Sequence, residues 1–157
     1  MSTPHNLQAL GILLERAEAE RDNALAQLQT LRQQAEAARG QAEQLGQYRS
    51  EYQQRWTQQF TQRTTIDIVG HYQNFGTRLD QAITQQGAVS AYAQQKVERA
   101  TELLRELELR VASVRKLLER RRAEITRGLL RQEQKATDEQ AARAALAQLN
   151  PFARVSA

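Results

Sequence analysis

The sequence predicts an all-α fold, a long antiparallel two-helix coiled-coil hairpin whose second helix is longer than the first. Four observations predict it. Only two prolines occur, Pro4 and Pro151, one near each end of the 157 residues, so nothing between them breaks a helix. The residues in between are rich in Ala, Leu, Gln, Glu and Arg, all good helix formers. Aromatics make up only 5%, too few for a large globular core. Finally, apolar residues recur in a 3-4 alternation through both halves, separated by one cluster of turn-favouring residues. The chain is expected to form a single hairpin over residues 1–157. Helix one should cover about 4–60, a loop about 61–65, helix two about 66–148, and a short tail 149–157.

Helix one can be capped by Ser2 or Thr3 with Pro4 at its first helical position. Its seam runs from Leu7, Leu10 and Leu14 through Ala24, Leu28 and Leu31 to Leu45, Tyr52 and Trp56. Thirteen of fifteen seam slots are apolar or aromatic. So long a 3.5-residue repeat demands a partner helix wound left-handedly against it. The two exceptions are Arg21 and Arg49, whose stems can cover the seam while their heads reach flanking acids. Glu102 or Glu106 is the expected mate of Arg21, and Asp80 that of Arg49.

The stretch Thr61-Gln62-Arg63-Thr64-Thr65 suits the reversal. Thr64 or Thr65 can cap the second helix, with Asp67 near its positive end. Helix two repeats the pattern from Ile68, Tyr72, Phe75 and Leu79 to Leu118, Arg121 and Ile125. The step Val89–Ala93–Val97 holds two fours in succession, which predicts a four-residue insertion that locally unwinds the supercoil. Asn150-Pro151 should stop the helix. At 1.5 Å per residue the helices span ~85 Å and ~125 Å. A reversal near residue 63 sets Trp56 against about residue 70, Tyr52 against about 75 and Leu28 against about 98.

Chemistry is sparse. Cysteine is absent, which excludes disulfides and thiolate metal sites. His5 and His71 stand alone, no spacing suits a metal, and no glycine-rich loop precedes a helix. No catalytic residue, metal or cofactor is expected. The N-terminus lacks the pattern of a signal peptide and no stretch is long and apolar enough to span a bilayer. A cytoplasmic protein with no direct membrane insertion is the expectation. Net charge is +4, with the excess concentrated in Arg115, Lys116, Arg120, Arg121, Arg122, Arg127 and Arg131. Such a patch marks a face without naming its partner. Six of the eight aromatics fall between residues 48 and 75: Tyr48, Tyr52, Trp56, Phe60, Tyr72 and Phe75. The seam can bury the four in heptad slots, leaving Tyr48 and Phe60 partly exposed. They either pack the closed end or anchor a partner protein.

Several ordered motifs carry a family resemblance. Tyr48-x3-Tyr52, then Tyr72-x2-Phe75-x3-Leu79-x2-Ala82-Ile83, then Arg131-x-Glu133-Gln134-Lys135-x2-Asp138-Glu139 together resemble the flagellar FliJ family over nearly the whole chain. The resemblance implies a non-enzymatic stalk of the type III export apparatus that builds the bacterial flagellum. It implies partners as well: the export ATPase FliI and its regulator FliH, the transmembrane gate protein FlhA, and export chaperones escorted by the stalk. The expected location is the cytoplasmic face of the inner membrane at the flagellar base. The family's gate-binding surface falls on Gln41, Leu45, Tyr48, Tyr52, Phe75, Leu79, Ala82 and Gln86. For the ATPase it implies that the end carrying both termini enters the ring. Arg115, Lys116, Arg120, Arg121, Arg122 and Arg127 are then the candidates to face it.

Three other readings share the pattern. A virulence-type secretion stalk would have the same fold, although the Tyr-x3-Tyr and Phe-x3-Leu pairs favour the flagellar branch. A coiled-coil nucleic-acid binder would carry its basic run on a parallel dimer, whereas here Glu119 and Glu124 interrupt it, so no nucleic acid is expected. A plain coiled-coil spacer would not need its aromatics gathered at one end.

Overall fold

The computed structural model describes residues 3–62 and 65–150, with side chains from Asn6 onward. These residues form two helices, α1 (Thr3–Phe60) and α2 (Ile66–Leu149). They pair as an antiparallel hairpin in which α2, at 84 residues, is longer than α1, at 58. The reversal follows from local bonding. Thr61 Oγ1 donates to the Gln58 carbonyl at 2.6 Å and the Gln62 amide to the Gln59 carbonyl at 3.1 Å, closing the last turn of α1 on itself. The Thr65 carbonyl accepts the first bond of α2 from the Val69 amide at 3.2 Å, which makes Thr65 the capping residue. Asp67 lies in that first turn, where the helix dipole favours a carboxylate. The alternative caps Thr64 and Ser2, and Pro151, lie outside the described residues.

The chain divides into two compact units: Ala19–Glu108, and Met1–Glu18 with Leu109–Ala157. In the first, Ala24, Leu28 and Ala35 of α1 pack with Val97 and Leu104 of α2, flanked by Leu31, Ala93, Ala100 and Leu107. Leu28 is the best-covered residue, 1% exposed. Leu28 meets Val97 in this cluster as the register arithmetic requires. In the second unit Ala17 of α1 and Val111, Val114 and Leu118 of α2 are buried, and Arg115 Nη2 bonds Glu18 Oε1 at 2.9 Å. After Ile125 every residue of α2, from 126 to 149, is exposed, as is Asn150.

All fifteen seam slots read from α1 are buried or half-buried, including Arg21 and Arg49. On α2 the seam differs in part from the expected one. Val89 is 53% exposed, Phe75 38% and Ile68 37%, while Gly76 is buried and Val69 and Ser90 are half-buried. The covered positions run Val69, Tyr72, Gly76, Leu79, Ile83, Gln86, Ser90, Ala93, Val97. They alternate threes and fours without a break, so there is no inserted stretch. A glycine and a serine hold seam slots, the glycine beneath the facing Arg49 side chain, and a hydrophobicity pattern passes over both. Arg21 also departs from expectation. Its guanidinium pairs with the neighbouring Asp22 at 3.0 Å, not with Glu102 or Glu106, because a carboxylate one residue away needs no reach across the seam. Arg121, expected in a slot, is exposed and pairs with Glu124 at 3.5 Å.

Candidate protein-docking face

The closed end of Ala19–Glu108 holds the six aromatics in one contiguous cluster. Tyr52 is its centre, with ring centroids 4.7 Å from Phe75, 5.4 Å from Tyr72 in a stacked pair and 5.9 Å from Trp56. Trp56 meets Phe60 at 5.4 Å and Tyr72 at 5.7 Å. Phe60 closes on Tyr72 edge-on at 5.3 Å, and Tyr48 meets Phe75 edge-on at 6.5 Å. Offset and edge-on pairs of this kind add to the stabilisation from burial. Burial raises the Tyr52 phenol above its ordinary value of 10.0, partly opposed by a hydrogen bond from Trp56.

The cluster packs the end and also breaks the surface on one side. Tyr48 is 48% exposed, and Phe75 joins it there, displaced from the seam by Gly76. Phe60 is half-buried. The exposed edge is therefore a Tyr48–Phe75 pair, one ring from each helix.

Two polar clasps hold the helices in register beside this edge. Arg49 Nε donates to Asp80 Oδ1 at 2.9 Å, and hydrogen bonds to Asp80 first and Tyr72 second raise the guanidinium pKa further. Arg49 Nη1 is buried with no partner, so its remaining bonding capacity is sealed against the seam. Asp80 is the mate expected for Arg49. The Gln86 side-chain amide donates to the Ala38 carbonyl at 3.0 Å and to Gln41 Oε1 at 3.1 Å.

The eight positions carried over by resemblance thus differ in exposure. Tyr48, Phe75 and Gln41 reach the surface, Leu45, Tyr52, Ala82 and Gln86 are half-buried, and Leu79 is buried. Gln41 and Gln86 bond each other across the hairpin. Val89 and Leu103, both exposed, continue the Phe75–Ala82 line at intervals of seven and fourteen residues. Sequence reasoning assigned Val89 to the seam and did not single out Leu103 at all. The seven-residue interval was the signal that could have found them.

In the other unit, Arg115 is tied to Glu18 and Arg121 to Glu124. Lys116, Arg120, Arg122 and Arg127 are exposed and paired with no carboxylate among the described residues. Asn6, Arg121, Ile125, Gly128 and Leu129 line a shallow groove where α1 begins. Among the described residues no group of His, Asp or Glu could hold a metal ion, and no helix is long and apolar enough to cross a membrane.

A family model described as flagellar FliJ protein matches residues 6–150, nearly the whole chain. No curated protein and no solved structure matches it.

Proposed function

The chain belongs to the flagellar FliJ family, whose members are non-catalytic components of flagellar protein export, and from that membership we propose that it links the export ATPase to the export gate. In this reading the aromatic end docks on the cytoplasmic domain of FlhA. The basic segment of α2 faces the FliI ring, where FliH also acts, and export chaperones are escorted between the two. The protein then works at the cytoplasmic face of the inner membrane, at the flagellar base.

The observation that carries the gate assignment is the exposed Tyr48–Phe75 edge. Rigid aromatic rings held by a packed cluster lose little conformational entropy on binding, which is why aromatics anchor interfaces. Gln41 and Ala82 border that edge. Leu45, Tyr52, Leu79 and Gln86 act chiefly by holding it in place. On the ATPase side, Lys116, Arg120, Arg122 and Arg127 offer unpaired charge to an acidic sleeve, and Arg115 and Arg121 are already engaged within the hairpin.

A binding assay with purified FlhA cytoplasmic domain and FliI tests both assignments. Tyr48→Ala should weaken FlhA binding about tenfold or more, as loss of an aromatic anchor does, with helicity unchanged. Reversing charge at Arg120, Arg122 and Arg127 should weaken FliI binding and leave FlhA binding intact. Wild-type FlhA binding by Tyr48→Ala would remove the aromatic edge from the gate contact. Unaltered FliI association would remove the arginines from the ATPase contact.

A further inference from the structure

The unit Ala19–Glu108 has two unlike sides. In an α-helix, residues seven apart lie on one line, and residues three or four apart are neighbours on one face. Along α2, the line just beside the seam reads Phe75, Ala82, Val89, Lys96 and Leu103. Val89 and Leu103 are 53% and 46% exposed, and neither enters the core. The corresponding line on the other side of the seam reads Asp80, Gly87, Gln94, Thr101 and Glu108. A two-stranded coiled coil that needed only its own seam would have no use for this difference, since positions flanking a seam are ordinarily polar on both sides.

The ring contact between Tyr48 and Phe75 shows which line of α1 borders the apolar side. It is the one holding Tyr48, Gln41 and Gln34. The next line outward on α1 reads Glu51, Gln44, Ala37 and Thr30, so its single charge lies at the aromatic end. On α2 the charges are of the other sign. Arg78, Lys96 and Arg99 are exposed along the apolar line, and the carboxylates on their side, Glu102 three residues beyond Arg99 and then Glu106, come only at the Leu103 end. None of the three cations pairs with a carboxylate among the described residues. Lys96 instead lies over the exposed Tyr92 ring, 4.6 Å from its centroid. The apolar side is thus a shallow groove with a glutamine-rich bank on α1 and a basic bank on α2.

We propose that this groove takes a third, amphipathic helix from a partner protein, laid lengthwise between α1 and α2 from Phe75 to Leu103. The partner carries an apolar heptad stripe, carboxylates on the shoulder facing Arg78, Lys96 and Arg99, and uncharged polar residues on the shoulder facing Gln34, Gln41 and Gln44. The proposal rests on reading the Tyr48–Phe75 edge as a docking surface. It adds the partner's secondary structure and charge pattern, and a length beyond the aromatic cluster. Only a helix presents side chains at the matching interval along such a line. From Phe75 to Leu103 the line advances 28 residues, which is four heptads and ~42 Å. A second copy of this chain fits less well. Placed groove to groove, it would either set basic bank against basic bank or set Gln34 and Gln41 against Val89 and Ala82.

The test uses the full chain and three fluorescein-labelled 28-residue peptides. Two share a Leu heptad stripe and a Gln shoulder, with the other shoulder Glu in one and Lys in the second. The third has the composition of the Glu peptide with its stripe scrambled. Fluorescence polarisation should show the striped Glu peptide binding about tenfold or more tightly than either of the others. The Lys peptide sets like charges against the basic bank, and the scrambled one cannot lay an apolar face in the groove. Val89→Gln with Leu103→Gln should abolish the advantage over the scrambled peptide, with helicity by circular dichroism unchanged. Lys96→Glu with Arg99→Glu should transfer the preference to the Lys peptide, and Arg120→Glu with Arg122→Glu, outside the groove, should leave it as it was.

Equal affinity for all three peptides would overturn the proposal, as would binding unaffected by Val89→Gln with Leu103→Gln. A preference lost through Arg120→Glu with Arg122→Glu would overturn it too, since the attraction would then come from the charge of the whole chain. So would a dimer by sedimentation that dissociates on Val89→Gln with Leu103→Gln, since the occupant would then be a second copy. The gate assignment fails separately. FlhA binding lost in Tyr48→Ala without any peptide preference refutes the third helix alone, and peptide preference without FlhA binding refutes the gate contact alone.

Discussion

The Arg49 guanidinium lies over the bare backbone of Gly76, so that a Cβ added to the glycine would meet Arg49 Nη2 at 3.5 Å. Both occupy seam slots, one on each helix, and together they fit a charged side chain into a seam flanked by Leu45, Tyr52, Tyr72 and Leu79. The guanidinium crosses the space a side chain at residue 76 would fill and emerges beside Asp80. Neither residue makes sense in the seam without the other.

Gly76→Ala should therefore be tolerated, since 3.5 Å is an ordinary contact and alanine gains up to ~1 kcal/mol in helix propensity. Gly76→Leu should cost about 1–3 kcal/mol by forcing Arg49 out of its place. Urea denaturation followed by circular dichroism distinguishes the two, and equal effects would mean that Arg49 does not need the gap.

The Arg49–Asp80 bond joins a mostly covered side chain to an exposed one, with side-chain exposures of 25% and 61%. Pairs of that kind contribute at most ~1 kcal/mol. A double-mutant cycle of Arg49→Met and Asp80→Asn should give a coupling of roughly 0.5–1 kcal/mol. A coupling of zero would leave Arg49 as a packing residue only.

Leu28→Ala should be among the costliest single truncations in the seam, about 2–5 kcal/mol, because Leu28 is almost wholly covered. Val89→Ala, on the exposed side, should cost within about 0.5 kcal/mol. Thermal melts of the two variants test the corrected seam directly. A large loss from Val89→Ala would restore it to the interior.

Alkaline pH should loosen the aromatic end. Burial holds the Tyr52 phenol above 10.0, so the folded state keeps its proton where the unfolded chain has lost it. That contribution is fully present below pH 10 and is lost as the pH rises toward the folded value. The urea midpoint should fall above pH 10, and fall less in Tyr52→Phe. An equal decline in both proteins would assign the effect to other groups.

Much of this architecture was legible in the sequence. The seam of α1 could be read slot by slot, since leucine and alanine at heptad spacing have one plausible use. The Arg49–Asp80 pair was readable too, from register arithmetic and charge. On α2 the hydrophobic pattern stands one residue off the seam at Ile68, Phe75 and Val89, because an apolar residue is not always a buried one. Gly76 sits in the seam for shape and Ser90 as a small polar residue, and a hydropathy pattern weighs neither. Arg21 shows the same limit for charge, since a local carboxylate outcompetes a distant one and sequence spacing does not rank them. The division of the aromatics into a buried centre and an exposed Tyr48–Phe75 edge depended on that one-residue difference as well.

In the last stretch of α2, residues 126–149, every residue is exposed. Most of a helix's stability in a protein comes from packing a buried face, and this stretch buries none. Its amide hydrogens should exchange with deuterium long before those around Leu28 do. Trypsin should cut first at Arg127, Arg131, Lys135 and Arg143, leaving a shortened but still paired molecule. A sheath closing around this stretch would slow both reactions, so either one reports its enclosure.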